Sequence, residues 1–130
     1  MKKIYIAGPM RGYAGWNFRA FDEAKKECKD RGYWPISPAD LDRAFGPTLP
    51  DSDEVCPAFL CKALSRDLAA ILHECDAMLL LDGWKGSDGA QIEAALAQVI
   101  GLEVFIQPWT PIALSFFTAA LLPMPEECDV

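Results

Sequence analysis

The fold is decided by residues 64–106, LSRDLAAILHECDAMLLLDGWKGSDGAQIEAALAQVIGLEVFI. Apolar side chains at positions 64, 68, 71, 72 and 75 recur at helical spacing, and residues 77–81 form an apolar run of strand length. The order then repeats, because a second helical stripe at positions 92, 95, 96, 99 and 100 ends at Gly101 and precedes the apolar run 104–106. Buried strands that alternate with amphipathic helices are typical of βαβ units around a parallel sheet.

The N-terminal half continues this alternation. Residues 4–7 predict a buried strand, and a helix is predicted to begin at Asn17, as its N-cap, and to end at Gly32. The inward face of that helix is predicted to consist of Phe18, Phe21, Ala24 and Cys28. Residues 34–37 predict a weaker strand, whereas residues 38–57, with four prolines, predict a long loop.

Two further elements are predicted near the C-terminus. Residues 108–111 are bounded by prolines and predict a turn, and residues 112–122 predict a closing helix against the sheet or a partner subunit. The whole pattern predicts one α/β domain over residues 1–130. Its expected architecture is a flavodoxin-like or Rossmann-like three-layer sandwich with a mostly parallel sheet of four to five strands.

The composition excludes several classes of partner. The chain has 130 residues, of which 52% are hydrophobic, and its 12 basic and 19 acidic residues give a formal net charge of −7. A surface this acidic repels nucleic-acid polymers and anionic membranes, so neither is an expected partner. The apolar runs at 4–7 and 112–122 are too short for an export signal or a membrane span, and we expect a cytoplasmic protein.

The cysteines and the histidine argue against a metal site. Five cysteines are an odd number without a CxxC pair, and His73 is the sole histidine of the sequence. We therefore expect free thiols in a reducing compartment, and neither a metal nor an organic cofactor is implied.

Two acidic residues lie on the helices that flank the strand at 77–81. Asp67 is a poor interior helix former, and its neighbours three and four positions away offer no salt bridge. Glu93 lies about 100° around its helix from Ile92, on the shoulder of the expected buried face. Two such carboxylates facing each other across a cleft would suit glycosidic chemistry, although a solvated shoulder glutamate is an open alternative.

Two loops are expected to meet at the ligand-binding edge of the sheet, where parallel strands end. The first, residues 8–13 (GPMRGY), has neither a Walker A nor a GxGxxG pattern. Gly8 and Gly12 would let backbone amides approach a ligand, and Arg11 could hold a phosphate unless it is an ordinary surface arginine.

The second loop, residues 82–89 (DGWKGSDG), leads into the helix that carries Glu93. A helix N-terminus near Ser87 would add free amides to an anion site. Asp88, with Gln91 three residues later, fits a capping box, so a helix cap is the simplest interpretation of Asp88.

These segments resemble the nucleoside 2-deoxyribosyltransferase superfamily over most of residues 3–106, and the resemblance fades in the loop at 38–57. IYIAGPM resembles its first strand and loop, LSRDLAAILHECDAMLLLDGW its aspartate helix and following strand, and GSDGAQIEAALA its glutamate helix. The arrangement is most similar to an uncharacterised, often phage-encoded branch and to the 2'-deoxynucleoside 5'-phosphate N-hydrolases.

The resemblance implies roles for individual residues. Glu93 would be the nucleophile at C1' of the deoxyribose, and Asp67 would assist at the sugar and the leaving base. Ser87 stands where many nucleoside-specific transferases have an aspartate, and it would favour a substrate with a 5'-phosphate. Ser115 is similar to a serine that reaches the phosphate from a neighbouring subunit, although it could be an ordinary helix residue. The remaining substrate-binding residues implied by the two loops are Gly8, Pro9, Met10, Arg11, Gly12, Tyr13, Trp84 and Gly89, with Tyr13 and Trp84 as possible base-stacking aromatics.

We accordingly expect cleavage of the N-glycosidic bond of a 2'-deoxyribonucleoside 5'-monophosphate through a glutamate nucleophile. One alternative is a nucleoside 2-deoxyribosyltransferase that exchanges bases, and another is a nucleotide-binding sensor or accessory module without turnover. The expected partners are a small deoxynucleotide or deoxynucleoside and, by the resemblance, a second copy of the chain in a homodimer.

Overall fold

Five strands of the computed structural model, which describes residues 1–45 and 57–112, form one sheet. The strands are β1 (Lys3–Ala7), β2 (Trp34–Ile36), β3 (Ala77–Leu80), β4 (Glu103–Ile106) and β5 (Thr110–Pro111). The α-helices are α1 (Phe18–Asp30), α2 (Pro38–Phe45), α3 (Pro57–Glu74) and α4 (Asp88–Val99).

The sheet has the strand order β2-β1-β3-β4-β5. The first four strands of this order are parallel, and β5 pairs antiparallel with β4. This is the flavodoxin-like order, so the predicted α/β class with a mostly parallel sheet is confirmed. The turn predicted at 108–111 is partly wrong, because Thr110 and Pro111 belong to β5.

The core consists of two apolar layers, one on each face of the sheet. Alternate residues of a strand point to opposite faces, so Tyr5 packs with α3 and α4, whereas Ile4 and Ile6 pack with α1 and α2. The predicted three layers therefore follow from strands that are apolar on both faces. No helix within the described residues combines the length and the apolarity needed to cross a membrane.

Helix α1 begins and ends where predicted, but the side chain of Asn17 does not cap it. Gly32 has a φ of 86°, and the N–H groups of Gly32 and Tyr33 bond to the carbonyls of Lys29 and Cys28, which is a Schellman motif. Asn17 occupies the N-cap position without capping the helix through its side chain. Its Nδ2 instead donates to the carbonyl of Pro9 at 2.8 Å, so Asn17 fastens the first loop.

The long loop predicted at 38–57 is wrong at both of its ends. Pro38 begins α2, because its missing N–H and fixed φ suit the first position of a helix, and the N–H of Leu41 bonds to the carbonyl of Ser37. Arg43 fastens α2 to α1 through Asp22 at 2.8 Å. Pro57 begins α3, and residues 46–56 lie outside the described residues.

The buried face of α4 differs from the one predicted. Ala90, Glu93, Ala94 and Ala97 are buried, whereas Val99 is 81% and Ile92 47% exposed. Alanine lets a helix approach the sheet closely, so the alanines face inward and Ile92 and Val99 face outward, whereas Leu96, also predicted inward, packs partly against the core. Glu93 therefore lies at the centre of the buried face and not on its shoulder. On α3, Leu72 was likewise predicted inward and is exposed.

Candidate active site

A cavity of about 490 Å³ opens at the C-terminal edge of β1 and β3, between the first loop, α3 and the start of α4. This is the switch point of the strand order, where ligands bind in open α/β sheets. The predicted site residues that line the cavity are Gly8, Pro9, Met10, Arg11, Gly12, Tyr13, Asp67, Ser87, Gly89 and Glu93.

Two predicted site residues are not among those lining the cavity. Trp84 is only 6% exposed and packs in the core with Tyr5 and Ala90, so the prediction that it stacks on a base is not supported by its position. Ser115 lies outside the described residues, as do residues 113–122 of the predicted closing helix.

Glu93 is held inside the cavity by a residue that the sequence did not single out. Glu93 is 6% exposed, and the hydroxyl of Tyr5 on β1 donates a hydrogen bond to its Oε2. Tyr5 is fully buried and was interpreted only as part of a strand. A tyrosine inside an otherwise aliphatic buried strand is a usable signal, because a buried phenol needs a hydrogen-bond partner.

The surroundings of Glu93 favour its protonated form. Burial raises the pKa of Glu93 to about 8; the Tyr5 hydrogen bond and Arg66 oppose this shift, and the charge of Asp67 adds to it. Burial and the two carboxylates also raise the pKa of Tyr5 well above its ordinary value. Tyr5 therefore keeps its proton and remains a hydrogen-bond donor to Glu93.

Asp67 is 8% exposed and is paired with the residue next to it in the chain. Arg66 contacts Oδ1 of Asp67 through Nε at 2.9 Å and through Nη2 at 2.8 Å. The prediction that Asp67 has no local salt bridge is therefore wrong, because its partner is the adjacent residue and not one three or four positions away. Burial raises the pKa of Asp67 to about 6, and Arg66 limits the rise.

A second aspartate reaches the same arginine from α2. Nη2 of Arg66 lies 2.7 Å from Oδ1 of Asp42, whose side chain is also buried. Asp42 and Arg66 both line the cavity. Neither was singled out in the sequence, because Asp42 fell within the predicted loop and ion pairs between distant helices leave no local pattern.

The first loop is closely packed against its surroundings. A Cβ on Gly8 would lie 2.8 Å from Cβ of Leu81, so Gly8 is required by packing against the core. A Cβ on Gly83 would lie 2.8 Å from the hydroxyl of Tyr13. Arg11 is exposed at the cavity, and the described residues provide no ion-pair partner for it.

Ser87, and not Asp88, caps α4. Its Oγ accepts a hydrogen bond from the N–H of Ala90 at 3.2 Å, whereas Gln91 turns back to the carbonyl of Lys85. The hydroxyl proton of Ser87 is not used by this cap. The start of α4 thus presents backbone amides and a hydroxyl at the wall of the cavity that Arg11 also lines.

No group of three histidine, cysteine, aspartate or glutamate side chains among residues 1–45 and 57–112 is arranged to hold a metal ion. Within the same residues, Cys28, Cys61 and Cys75 are free thiols. Burial raises the pKa of Cys28 to about 12, as expected of an unreactive core thiol.

Comparisons with known proteins give one family match and one structural match. A family profile described as "Domain of unknown function (DUF4406)" matches residues 2–106. A solved 2-deoxyribosyltransferase from Bacillus psychrosaccharolyticus is similar in structure, with a TM-score of 0.61 and 20% sequence identity over 92% of this chain and 82% of that one. A sequence search of curated proteins finds no significant match. The predicted resemblance to deoxyribosyltransferases is thus confirmed as a shared fold.

Proposed function

This chain belongs to the DUF4406 family, and we propose that it cleaves the N-glycosidic bond of a 2'-deoxyribonucleoside 5'-monophosphate, with Glu93 as the nucleophile. The observation that carries this proposal is the placement of Glu93. The buried carboxyl of Glu93 accepts a hydrogen bond from Tyr5 and borders the same cavity as a second buried carboxyl, that of Asp67. A pair of carboxyl groups, one to attack the sugar and one to handle the proton, is what glycosidic cleavage uses.

In the proposed reaction, ionised Glu93 attacks C1' of the deoxyribose. The C1'–O bond to the carboxylate forms as the bond from C1' to the base nitrogen breaks, and the departing base takes up a proton. At neutral pH the two carboxyls hold one proton, and it rests on Glu93 because the pKa of Glu93, about 8, exceeds that of Asp67, about 6. We assign delivery of the proton to Asp67: transfer of the proton from Glu93 to Asp67 ionises the nucleophile and places the proton on the group that passes it to the base. Water then hydrolyses the glycosyl ester and restores the glutamate.

The preference for a 5'-phosphate is supported by the charge at the mouth of the cavity. Asp42, Asp67 and Glu93 make its interior acidic, and Arg66 is already paired with two of them. Arg11 is the arginine that remains for an anion, and the hydroxyl of Ser87 and the amides of α4 lie on the same cavity.

A second candidate function is transfer of the deoxyribose to another base. The similar structure is described as a 2-deoxyribosyltransferase, and this description favours transfer more directly than hydrolysis. Both reactions share the glutamate ester and differ only in whether water or a second base resolves it. A non-catalytic nucleotide-binding module is the third candidate.

Product analysis separates these candidates. The protein is incubated with each of the four deoxynucleoside monophosphates and with the four deoxynucleosides, with and without a second free base. We expect free base and deoxyribose 5-phosphate from at least one monophosphate. A new nucleoside or nucleotide would indicate transfer, and binding without any product would indicate the non-catalytic module.

The matched variants are Glu93→Gln and Glu23→Gln. Glu23 is 63% exposed in its side chain and lies on α1, outside the cavity. We expect Glu93→Gln to lose base release and Glu23→Gln to keep it. Equal activity of the two variants would contradict the assignment of Glu93.

A further inference from the structure

Arg66 joins two helices of the cavity wall through a single guanidinium group. Its Nε and Nη2 contact Oδ1 of Asp67, its own neighbour on α3, and Nη2 also contacts Oδ1 of Asp42 on α2. Both aspartates are buried, and the arginine side chain is 23% exposed. Asp42 thus holds, from a second helix, the same Nη2 that contacts Asp67.

We infer that Arg66, anchored by Asp42, is a positioning residue that holds the Asp67 carboxyl in place for chemistry in the cavity. This inference rests on the proposed function, because it concerns the reaction at Glu93 and Asp67.

Direct binding of substrate phosphate by Arg66 is the competing explanation, and the contacts argue against it. Its Nε and Nη2 are used, and two carboxylates with one guanidinium leave this group of three side chains with a net negative charge. A phosphate would be repelled there and would have to displace charge-assisted hydrogen bonds. Both aspartates raise the pKa of Arg66 against the effect of burial, so the guanidinium stays protonated.

The charges around Asp67 show what Arg66 contributes. Arg66 faces it from α3, Asp42 from α2, Tyr5 from β1 and Glu93 from α4. Arg66 is the one cation in this set. Without it, burial and two like charges would raise the pKa of Asp67 further, and the carboxyl would lose both of its contacts with the guanidinium.

The test compares Arg66→Met with Arg66→Lys and with a control, Arg43→Met. Arg43 is a close match because it also bridges two aspartates, Asp22 and Asp40, but it does not line the cavity. The pKa of Asp67 is measured by carbon NMR of its side-chain carboxyl, which is assigned with Asp67→Asn. The kcat and KM for base release are measured across pH, and melting curves verify that each variant folds.

We expect Arg66→Met to raise the pKa of Asp67 by at least about 1 unit, since an opposite charge at this distance shifts a carboxyl by about 1–3 units. The limb of the rate profile that follows the titration of Asp67 should move by a similar amount, and kcat should fall about 10- to 100-fold, with KM changed less. Arg66→Lys should restore the pKa but only part of kcat, because an ammonium lacks the planar fork. Arg43→Met should leave both quantities unchanged.

An unchanged pKa of Asp67 in a folded Arg66→Met protein would overturn the inference, as would a loss confined to KM, which would assign Arg66 to substrate binding. The titration is independent of turnover. Absence of base release by the wild-type protein would therefore overturn the proposed function, whereas the NMR result would still decide whether Arg66 controls Asp67.

Discussion

At the scale of single residues, the chemistry depends on a carboxyl that the fold keeps out of water. Glu93 lies among the alanines on the buried face of α4 and against the phenol of Tyr5, and its pKa is raised to about 8 mainly by burial. A carboxyl with such a pKa is a strong nucleophile once it is ionised. The hydrogen bond from Tyr5 favours the ionised form and fixes which oxygen faces β1.

Replacing Tyr5 by Phe tests this pairing. A hydrogen bond to a charged group contributes about 1.5–3 kcal/mol, so we expect kcat/KM to fall by about 10- to 100-fold. The pKa of Glu93 should rise further, because Tyr5 lowers it in the wild-type protein. The measurements are the rate profile against pH and the titration of the Glu93 carboxyl.

The control for this variant is Tyr33→Phe, which alters a tyrosine stacked on Trp109 away from the cavity. Wild-type kcat/KM in Tyr5→Phe would show that the phenol is only a packing residue.

At the scale of elements, the sequence predicted the order of helices and strands better than their faces. The strand at 77–81 and the helices around it were found because apolar periodicity is a strong signal. The inward side of α4 was misjudged because Ile92 and Val99 outweigh alanines in a hydrophobic count, yet the alanines allow close packing. α2 was missed because proline at a helix start resembles proline in a loop. Glu93 and Asp67 were singled out by their positions on the two helices and given roles by the family resemblance, whereas Tyr5 and the Asp42–Arg66 contact required the tertiary structure.

The orientation of α4 predicts that substitutions on its inner side change the free energy of unfolding much more than substitutions on its outer side. Ala94→Leu adds atoms to a fully buried position and should lower the free energy of unfolding by about 1–3 kcal/mol. Val99→Gln, on the outer side, should change it by less than about 0.5 kcal/mol. Urea denaturation at one protein concentration measures both, and a larger loss in Val99→Gln than in Ala94→Leu would show that the outer side is covered.

At the scale of the whole molecule, the site is expected to reduce stability. A carboxyl whose pKa rises on folding binds its proton more tightly in the native state than in the unfolded state. Stability is then greatest below the unfolded pKa of about 4.5 and falls as pH rises towards about 8. Ionisation of Asp67 lowers the stability in the same way as pH rises towards about 6.

Glu93→Gln should therefore be more stable than the wild-type protein at pH 8 and nearly equal to it at pH 4.5. At 1.36 kcal/mol per unit, the difference at pH 8 is on the order of a few kcal/mol. Urea denaturation of both proteins across this pH range measures it. A wild-type protein that gains stability relative to Glu93→Gln as pH rises would contradict the buried placement of the glutamate.

The central claim, that Glu93 bonds covalently to the sugar, is tested most directly by mass spectrometry of peptides from protein quenched with acid during turnover of a deoxynucleoside monophosphate. We expect the peptide containing Glu93 to carry the mass of a 2-deoxyribosyl 5-phosphate ester, and we expect this ester and the release of base to be absent in Glu93→Gln. Undiminished base release by Glu93→Gln, with Glu93 unmodified in the wild-type protein, would contradict the account.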